Sequence, residues 1–150
     1  MKILKRRDFL KGTGLAFFGP ALLAKGVPAQ EKEIDWFKEI HRVADPHSLT
    51  PVEKKHAPVI SIPSYIKAKQ VFYLTAQVGE TLHVMTPQHW IMWLEVYVDD
   101  VLISRTEFSP YSPYAIVTVP LSLDRESTVK VLERCNLHGI WESSVRAVPS

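Results

Sequence analysis

Five side chains in this sequence have the types and settings that metal chemistry uses. Cys135 and His138 stand in the run Cys135-Asn136-Leu137-His138-Gly139. His83 and His89 bracket Val84-Met85-Thr86-Pro87-Gln88, and His56 precedes Ala57-Pro58. Each lies beside a loop signal at the end of a strand-like run, where a rigid scaffold aims side chains at one point. Four imidazoles and one thiolate are donors of intermediate to soft character, suited to iron, copper or zinc and not to calcium or magnesium. A structural zinc site closes with four ligands, one fewer than this set offers. A blue-copper site takes two His, one Cys and a weak axial Met; Met85 is near, but no Met follows His138. Iron with five protein ligands and one open position fits the set best. The cysteine is the only one in the chain, so neither an internal disulfide nor a cysteine-rich knuckle is available. A lone thiol in an oxidising compartment needs burial or ligation to survive.

The elements that must position these groups read as strands. Short β-branched or aromatic runs span Val59–Ile62, Gln70–Val78, Trp90–Asp99, Val101–Phe108, Tyr114–Val119 and Thr128–Arg134. Pro63, Gly79, Pro110, Pro113 and Pro120 punctuate them, and Asp99-Asp100 has the composition of a hairpin tip. This spacing predicts an all-β, antiparallel β-sandwich over residues 51–150. Within Trp90–Val98 the alternation assigns Met92, Leu94, Val96 and Val98 to the core, and Ile91, Trp93, Glu95 and Tyr97 to the opposite face. Residues 30–50 form an N-terminal extension. Ile34, Trp36, Phe37 and Ile40 have helical spacing there, which predicts one short amphipathic helix ending before Pro46.

The first 29 residues read as an address. Lys5-Arg6-Arg7-Asp8-Phe9-Leu10-Lys11 is followed by a mildly apolar, glycine-broken stretch to Leu23 and then by Val27-Pro28-Ala29. Charged, apolar and small residues in that order make an export signal, and the paired arginines resemble the twin-arginine type. The expectation is export of a folded protein to the periplasm or beyond. The whole chain carries 18 Lys+Arg against 16 Asp+Glu. Six of those cations and only Asp8 among the anions fall in the address, so the remainder is net acidic. It lacks the basic surplus of a nucleic-acid binder.

From about Pro51 to Ser143 the chain resembles the superoxide reductases of the desulfoferrodoxin/neelaredoxin family. The pieces that carry the resemblance are Glu53-Lys54-Lys55-His56-Ala57-Pro58-Val59-Ile60, His83-Val84-Met85, His89-Trp90-Ile91, Trp93-Leu94-Glu95 and Cys135-Asn136-Leu137-His138-Gly139-Ile140-Trp141. The resemblance implies an immunoglobulin-like β-sandwich, with one iron held by equatorial His56, His83, His89 and His138 and an axial Cys135 thiolate. It implies reduction of superoxide to hydrogen peroxide, with Lys55 as the catalytic cation beside the open position. An external protein or small reductant would return the iron to the ferrous state, and a homo-oligomer is allowed. Two departures stand out. Val84 replaces the usual proline after the second histidine. Lys54 occupies the place of a glutamate that serves the family as a sixth ligand, leaving Glu53 one residue away; a one-residue shift in an extended segment reverses side-chain direction. The alternative is a redox or sensor module that uses the same centre without efficient superoxide turnover.

Overall fold

A computed structural model describes residues 35–150. The expected export signal, residues 1–29, lies outside the described residues. Eight strands and one helical turn follow in the order β1 (Ile40–His41), α1 (Glu53–His56), β2 (Pro58–Ser61), β3 (Val71–Val78), β4 (Ile91–Val98), β5 (Val101–Glu107), β6 (Ile116–Ser122), β7 (Ser127–Cys135) and β8 (Gly139–Ala147). They make two sheets, β1-β8-β7-β4-β5 and β2-β3-β6. Every neighbouring pair is antiparallel except β1–β8, which is parallel. The all-β sandwich expected from the sequence is therefore the fold.

Period-two alternation explains why the sheets face each other. On β3 Phe72, Leu74, Ala76 and Val78 turn inward and are buried. On β7 Val129 and Val131 do the same, in register with Val98 and Val96 of β4. These residues, with Leu94, Val119 and Leu121, form one continuous core. Pro120 is tolerated because β6 is an edge strand, hydrogen-bonded only to β3. At the β4–β5 tip Asp99 and Asp100 both take positive φ, 47° and 67°, as a two-residue primed hairpin requires.

Two expectations need correction. Residues 35–41 hold turns and the short strand β1 instead of a helix. The helical spacing of Trp36, Phe37 and Ile40 is overridden by pairing of Ile40 and His41 with Ile140 and Trp141. On β4, Ile91 is fully buried, while Met92 and Val98 are only half-buried. A register shift between Ile91 and Trp93 against β7 inverts the facing at the start of the strand. Strand β8 was not anticipated. Its alternation of Ile140, Glu142, Ser144 and Arg146 with Trp141, Ser143 and Val145 carries too little apolar contrast to register as a strand.

Candidate metal centre

Each candidate ligand is delivered by a distinct local device. His56 ends α1, whose continuation is stopped by Pro58. Its Nδ1 lies 2.8 Å from the Val52 carbonyl oxygen, so Nδ1 carries the proton and Nε2 presents a lone pair. The loop after β3 grips this turn: Thr81 N donates to Lys54 O at 3.0 Å. Gly79, at φ +81°, passes so close to α1 that a Cβ would stand 2.6 Å from the Lys55 carbonyl oxygen.

His83 and His89 come from the β3–β4 loop. Thr86 and His89 exchange backbone hydrogen bonds of 2.9 and 3.0 Å around Pro87-Gln88. That tight turn sets the six-residue step between the two histidines. Cys135 ends β7 and pairs with Gly139, the first residue of β8. His138 therefore sits in a three-residue hairpin loop that closes on Gly139 at φ +72°.

These devices bring the donors to one place. His83 Nε2 lies 3.1 Å from His56 Nε2 and 3.0 Å from His89 Nε2. His89 Nε2 is 3.2 Å from Cys135 Sγ. Donor atoms of these four residues all fall within 4.8 Å of one another. His138 joins on one flank through Nδ1, 3.1 Å from His89 Nε2 and 3.5 Å from Sγ. The rings run in the order His56, His83, His89, His138, with neighbouring centroids 4.4–4.8 Å apart and His56 facing His89 across 5.8 Å. Among the described residues no carboxylate joins the group.

The set fits a metal ion. Nitrogens about 2.1 Å and a sulfur about 2.3 Å from a common centre, at right angles, stand roughly 3.0–3.1 Å apart, close to the separations above. Electrostatics agrees. Burial, then the charges of neighbouring histidines and Lys55, pushes His56 down to about 4. Burial and the charges of His56 and His89 push His83 down to about 3. Burial also lowers His89 and His138. Neutral imidazoles at physiological pH are what ligation requires. Burial pushes the Cys135 thiol up to about 11 when no cation is present, against the amides of Leu137 and His138, which favour the thiolate. The Leu137 amide donates to Sγ at 3.5 Å. A bound cation inverts that balance and holds the sulfur deprotonated.

Further residues support the cluster without a sequence signal that singled them out. Asn136 Oδ1 accepts from Trp90 N at 2.9 Å, and Asn136 Nδ2 donates to Gln88 O at 3.0 Å. It clasps both neighbours of His89 while adjoining Cys135. Trp141 stacks on His56 at 5.6 Å, and Trp36 meets His138 edge-on at 5.4 Å. Gly139 leaves room for the Trp36 carbonyl oxygen, which a Cβ would meet at 1.8 Å.

Lys55 is exposed on α1 beside His56, and its charge adds a small lowering to both His56 and His89. Glu53 is turned away. Its Oε1 accepts from Ala44 N at 3.0 Å and its Oε2 from Thr50 N at 2.7 Å. Those backbone amides hold its carboxyl below the usual range. Glu133, fully buried one strand alternation before Cys135, has neither carboxylate oxygen hydrogen-bonded, and burial pushes its carboxyl well above the usual range.

Fold and donor set together define a class: β-sandwich proteins with a mixed imidazole–thiolate metal site among the loops at the strand ends. The family model described as Desulfoferrodoxin matches residues 48–144, and the chain belongs to the desulfoferrodoxin family. A putative superoxide reductase of Methanocaldococcus jannaschii is 33% identical over 96 residues, covering 62% of this chain and 82% of that protein. The solved superoxide reductase (neelaredoxin) of Ignicoccus hospitalis matches with a TM-score of 0.58 at 30% identity, over 63% of this chain and 81% of that one. The crystal structure of a putative superoxide reductase from Thermotoga maritima gives a TM-score of 0.61 at 27% identity, over 74% and 94%.

Proposed function

We propose that this chain is a superoxide reductase, binding one iron through His56, His83, His89, His138 and Cys135. The observation that carries the reading is the convergence of four imidazole nitrogens and the only thiol of the described residues on one point. The iron would supply the electron in the reaction of superoxide, one electron and two protons to give hydrogen peroxide. An external protein or small reductant would restore it.

The chain's own groups do the rest. The four rings form a belt with the sulfur beside it, and an iron held by these five groups would have one position left for the substrate. The Lys55 ammonium, with exposed Lys54 beside it, draws the anion toward that position and orders a water able to give a proton. The Leu137 and His138 amides trim the electron density of the thiolate. Glu53 is committed to Ala44 and Thr50 and takes no part in ligation. Residues 1–29 are proposed as a twin-arginine signal that exports the folded protein, which places the reaction in the periplasm or outside the cell.

The test is rapid mixing of the reduced, iron-loaded protein with superoxide. One peroxide per superoxide consumed supports the reading, whereas half that amount with oxygen released indicates dismutation. Metal uptake without superoxide consumption would make the chain a redox or sensor module instead. Lys55→Ala should slow the second-order reaction by about tenfold, the lower end of electrostatic steering, and flatten its salt dependence. An unchanged rate removes Lys55 from the mechanism.

A further inference from the structure

One arginine stands apart from the others. Arg42 binds Glu142, Arg105 binds Glu95 and Glu107, Arg125 holds Asp99 and Asp124, and Arg146 reaches Glu126. Arg134 is half-buried and pairs with no carboxylate among the described residues. Its Nε is buried and has no hydrogen-bond partner. A buried donor left unmade costs free energy, and a charged one costs more. Such a group in a folded protein points to something that satisfies it.

Arg134 lines a cavity of about 210 Å³ beside the hairpin that carries Cys135 and His138. Register sets Arg134 of β7 next to Ile140 of β8, and Ile140 next to Ile40 of β1. The turn before β1 adds Trp36 and Phe37 as walls. The Phe37 ring lies 5.9 Å from the guanidinium carbon, at the outer limit of a cation–π contact, and occupies none of its N–H donors. Lys38, held by Asp35 at 3.7 Å, and Glu39 stand in solvent at the rim, where their charges are screened. On the inner side the Trp36 indole meets His138 edge-on at 5.4 Å. It also lies 6.0 Å from Trp141, which stacks on His56 at 5.6 Å. One indole thus bridges the cavity to two of the metal-binding rings.

We propose that this cavity seats a small, one-ring anionic reductant, and that the electron restoring the metal centre enters here. The assignment rests on the superoxide reductase reading and names the class of its donor. A carboxylate or enolate takes the edge of the Arg134 guanidinium, whose planar N–H groups match two oxygens. The ring of the ligand packs against Phe37, Ile40 and Ile140. Size narrows the class: 210 Å³ is below the roughly 300 Å³ at which pockets begin to hold drug-sized ligands. One ring fits that space and a fused-ring cofactor does not. Each superoxide consumed takes one electron, and the described residues hold one metal-ligand cluster and no disulfide, so that electron arrives from outside. Ascorbate has the required chemistry. Its monoanion gives up one electron and one proton and leaves as the radical anion. The electron converts the ferric form to the ferrous, and the proton passes to solvent. Neither α1 nor Lys55 lines the cavity, so reductant and superoxide use separate seats.

The experiment has a binding arm and a redox arm. Binding is read on the zinc-loaded full chain, where no electron moves, by tryptophan fluorescence and calorimetry with benzoate as the probe. Benzoate should bind saturably, one per chain. Arg134→Gln should weaken it about tenfold to a hundredfold, the loss of a charge-assisted pair. Phe37→Ala, at a position 57% exposed and therefore safe for the fold, should weaken it severalfold; it carries the test should Arg134→Gln lose its folded circular dichroism spectrum. Arg125→Gln removes the same charge from an exposed site elsewhere and should behave as the parent. In the redox arm the ferric full chain is mixed with ascorbate and its thiolate absorption band is followed. The rate should level off with ascorbate concentration, and benzoate should compete. Absence of benzoate binding, binding indifferent to Arg134 and Phe37, or equal loss in Arg125→Gln overturns the site. Reduction that benzoate leaves unchanged overturns its role as the donor's seat. A chain that passes both arms yet consumes no superoxide supports the seat and refutes the reading of the centre, so the two failures are distinct.

Discussion

Asn136→Ala is the most informative single change near the centre. It removes two hydrogen bonds that flank His89, from Trp90 N at 2.9 Å and to Gln88 O at 3.0 Å. The backbone bond from Asn136 N to Trp90 O, 3.1 Å, remains, so β7 and β4 stay joined. The Trp90 amide is half-buried and loses its acceptor, a cost of about 1–2 kcal/mol; the exposed Gln88 carbonyl is re-solvated at about 0.5 kcal/mol. With the clasp gone, the loop carrying His89 must be ordered by the metal itself. The sum of about 1.5–2.5 kcal/mol then appears as roughly a tenfold to seventyfold loss of metal affinity, the size expected for a group that orients a ligand from behind. Chelator competition with cobalt(II), followed by the thiolate absorption band, reads the affinity, and urea unfolding of the metal-free protein reads the fold. Asn136→Asp keeps the acceptor and should lose less. Cobalt affinity within twofold of the parent, with the full loss seen in metal-free stability, would show that the clasp serves the sandwich alone and refute the reasoning.

Other perturbations test other parts of the structure. Glu53→Gln removes a charged acceptor of two backbone amides and should cost about 1–3 kcal/mol at neutral pH. Because the folded carboxyl is held below its ordinary 4.5, that contribution is full above this value and vanishes as pH falls through the folded one. Urea midpoints of parent and variant should therefore converge in acid, and a constant gap would contradict the assignment. Glu133→Leu should stabilise the metal-free protein by about 1–4 kcal/mol at neutral pH. The folded carboxyl is raised by burial, so ionisation in the unfolded chain drains stability as pH climbs above the ordinary value; the variant should lack that slope, and a fall in its melting temperature would reveal a hidden partner. Gly139→Ala meets the Trp36 carbonyl oxygen at 1.8 Å and a φ of +72°, a backbone cost of about 1–2 kcal/mol before the clash. Residues 35–41 should lift away, and trypsin should cut faster at Lys38 and Arg42; unchanged cleavage would show that the segment is held elsewhere.

Much of this was legible in the residues, for identifiable reasons. β2 to β7 announced themselves because β-branched and aromatic side chains dominate them and Asp-Asp, Gly and Pro mark their ends. The five candidate ligands were legible because imidazole and thiolate are scarce and each stood beside a turn signal, and in the structure their nitrogen and sulfur atoms lie close together. β8 was not, because it combines Glu142, Ser143 and Ser144 with few aliphatic groups and owes its strand form to pairing with β7 across the hairpin more than to its own pattern. The buried position of Ile91 depends on a bulge, which leaves no mark in a hydropathy pattern. Trp36 reads as a helical residue until Gly139, a hundred residues on, is seen to make room for its carbonyl. Glu53 shows the same limit: its type was plain, but its direction is set by Ala44 and Thr50.

His83 and His89 are 6 residues apart and Cys135 and His138 only 3, but the contacts that join these local pairs to each other and to His56 span 27, 46, 49 and 52 residues. No peptide fragment holds more than a part of the set, and closing such long loops is among the slowest steps of folding. Nascent or truncated chains thus hold at most part of the set, and loading through all five groups would be a terminal event that only the finished polypeptide undergoes. Occupancy then doubles as quality control. It stabilises correctly closed molecules by mass action and leaves misassembled ones empty and recognisable to proteolysis.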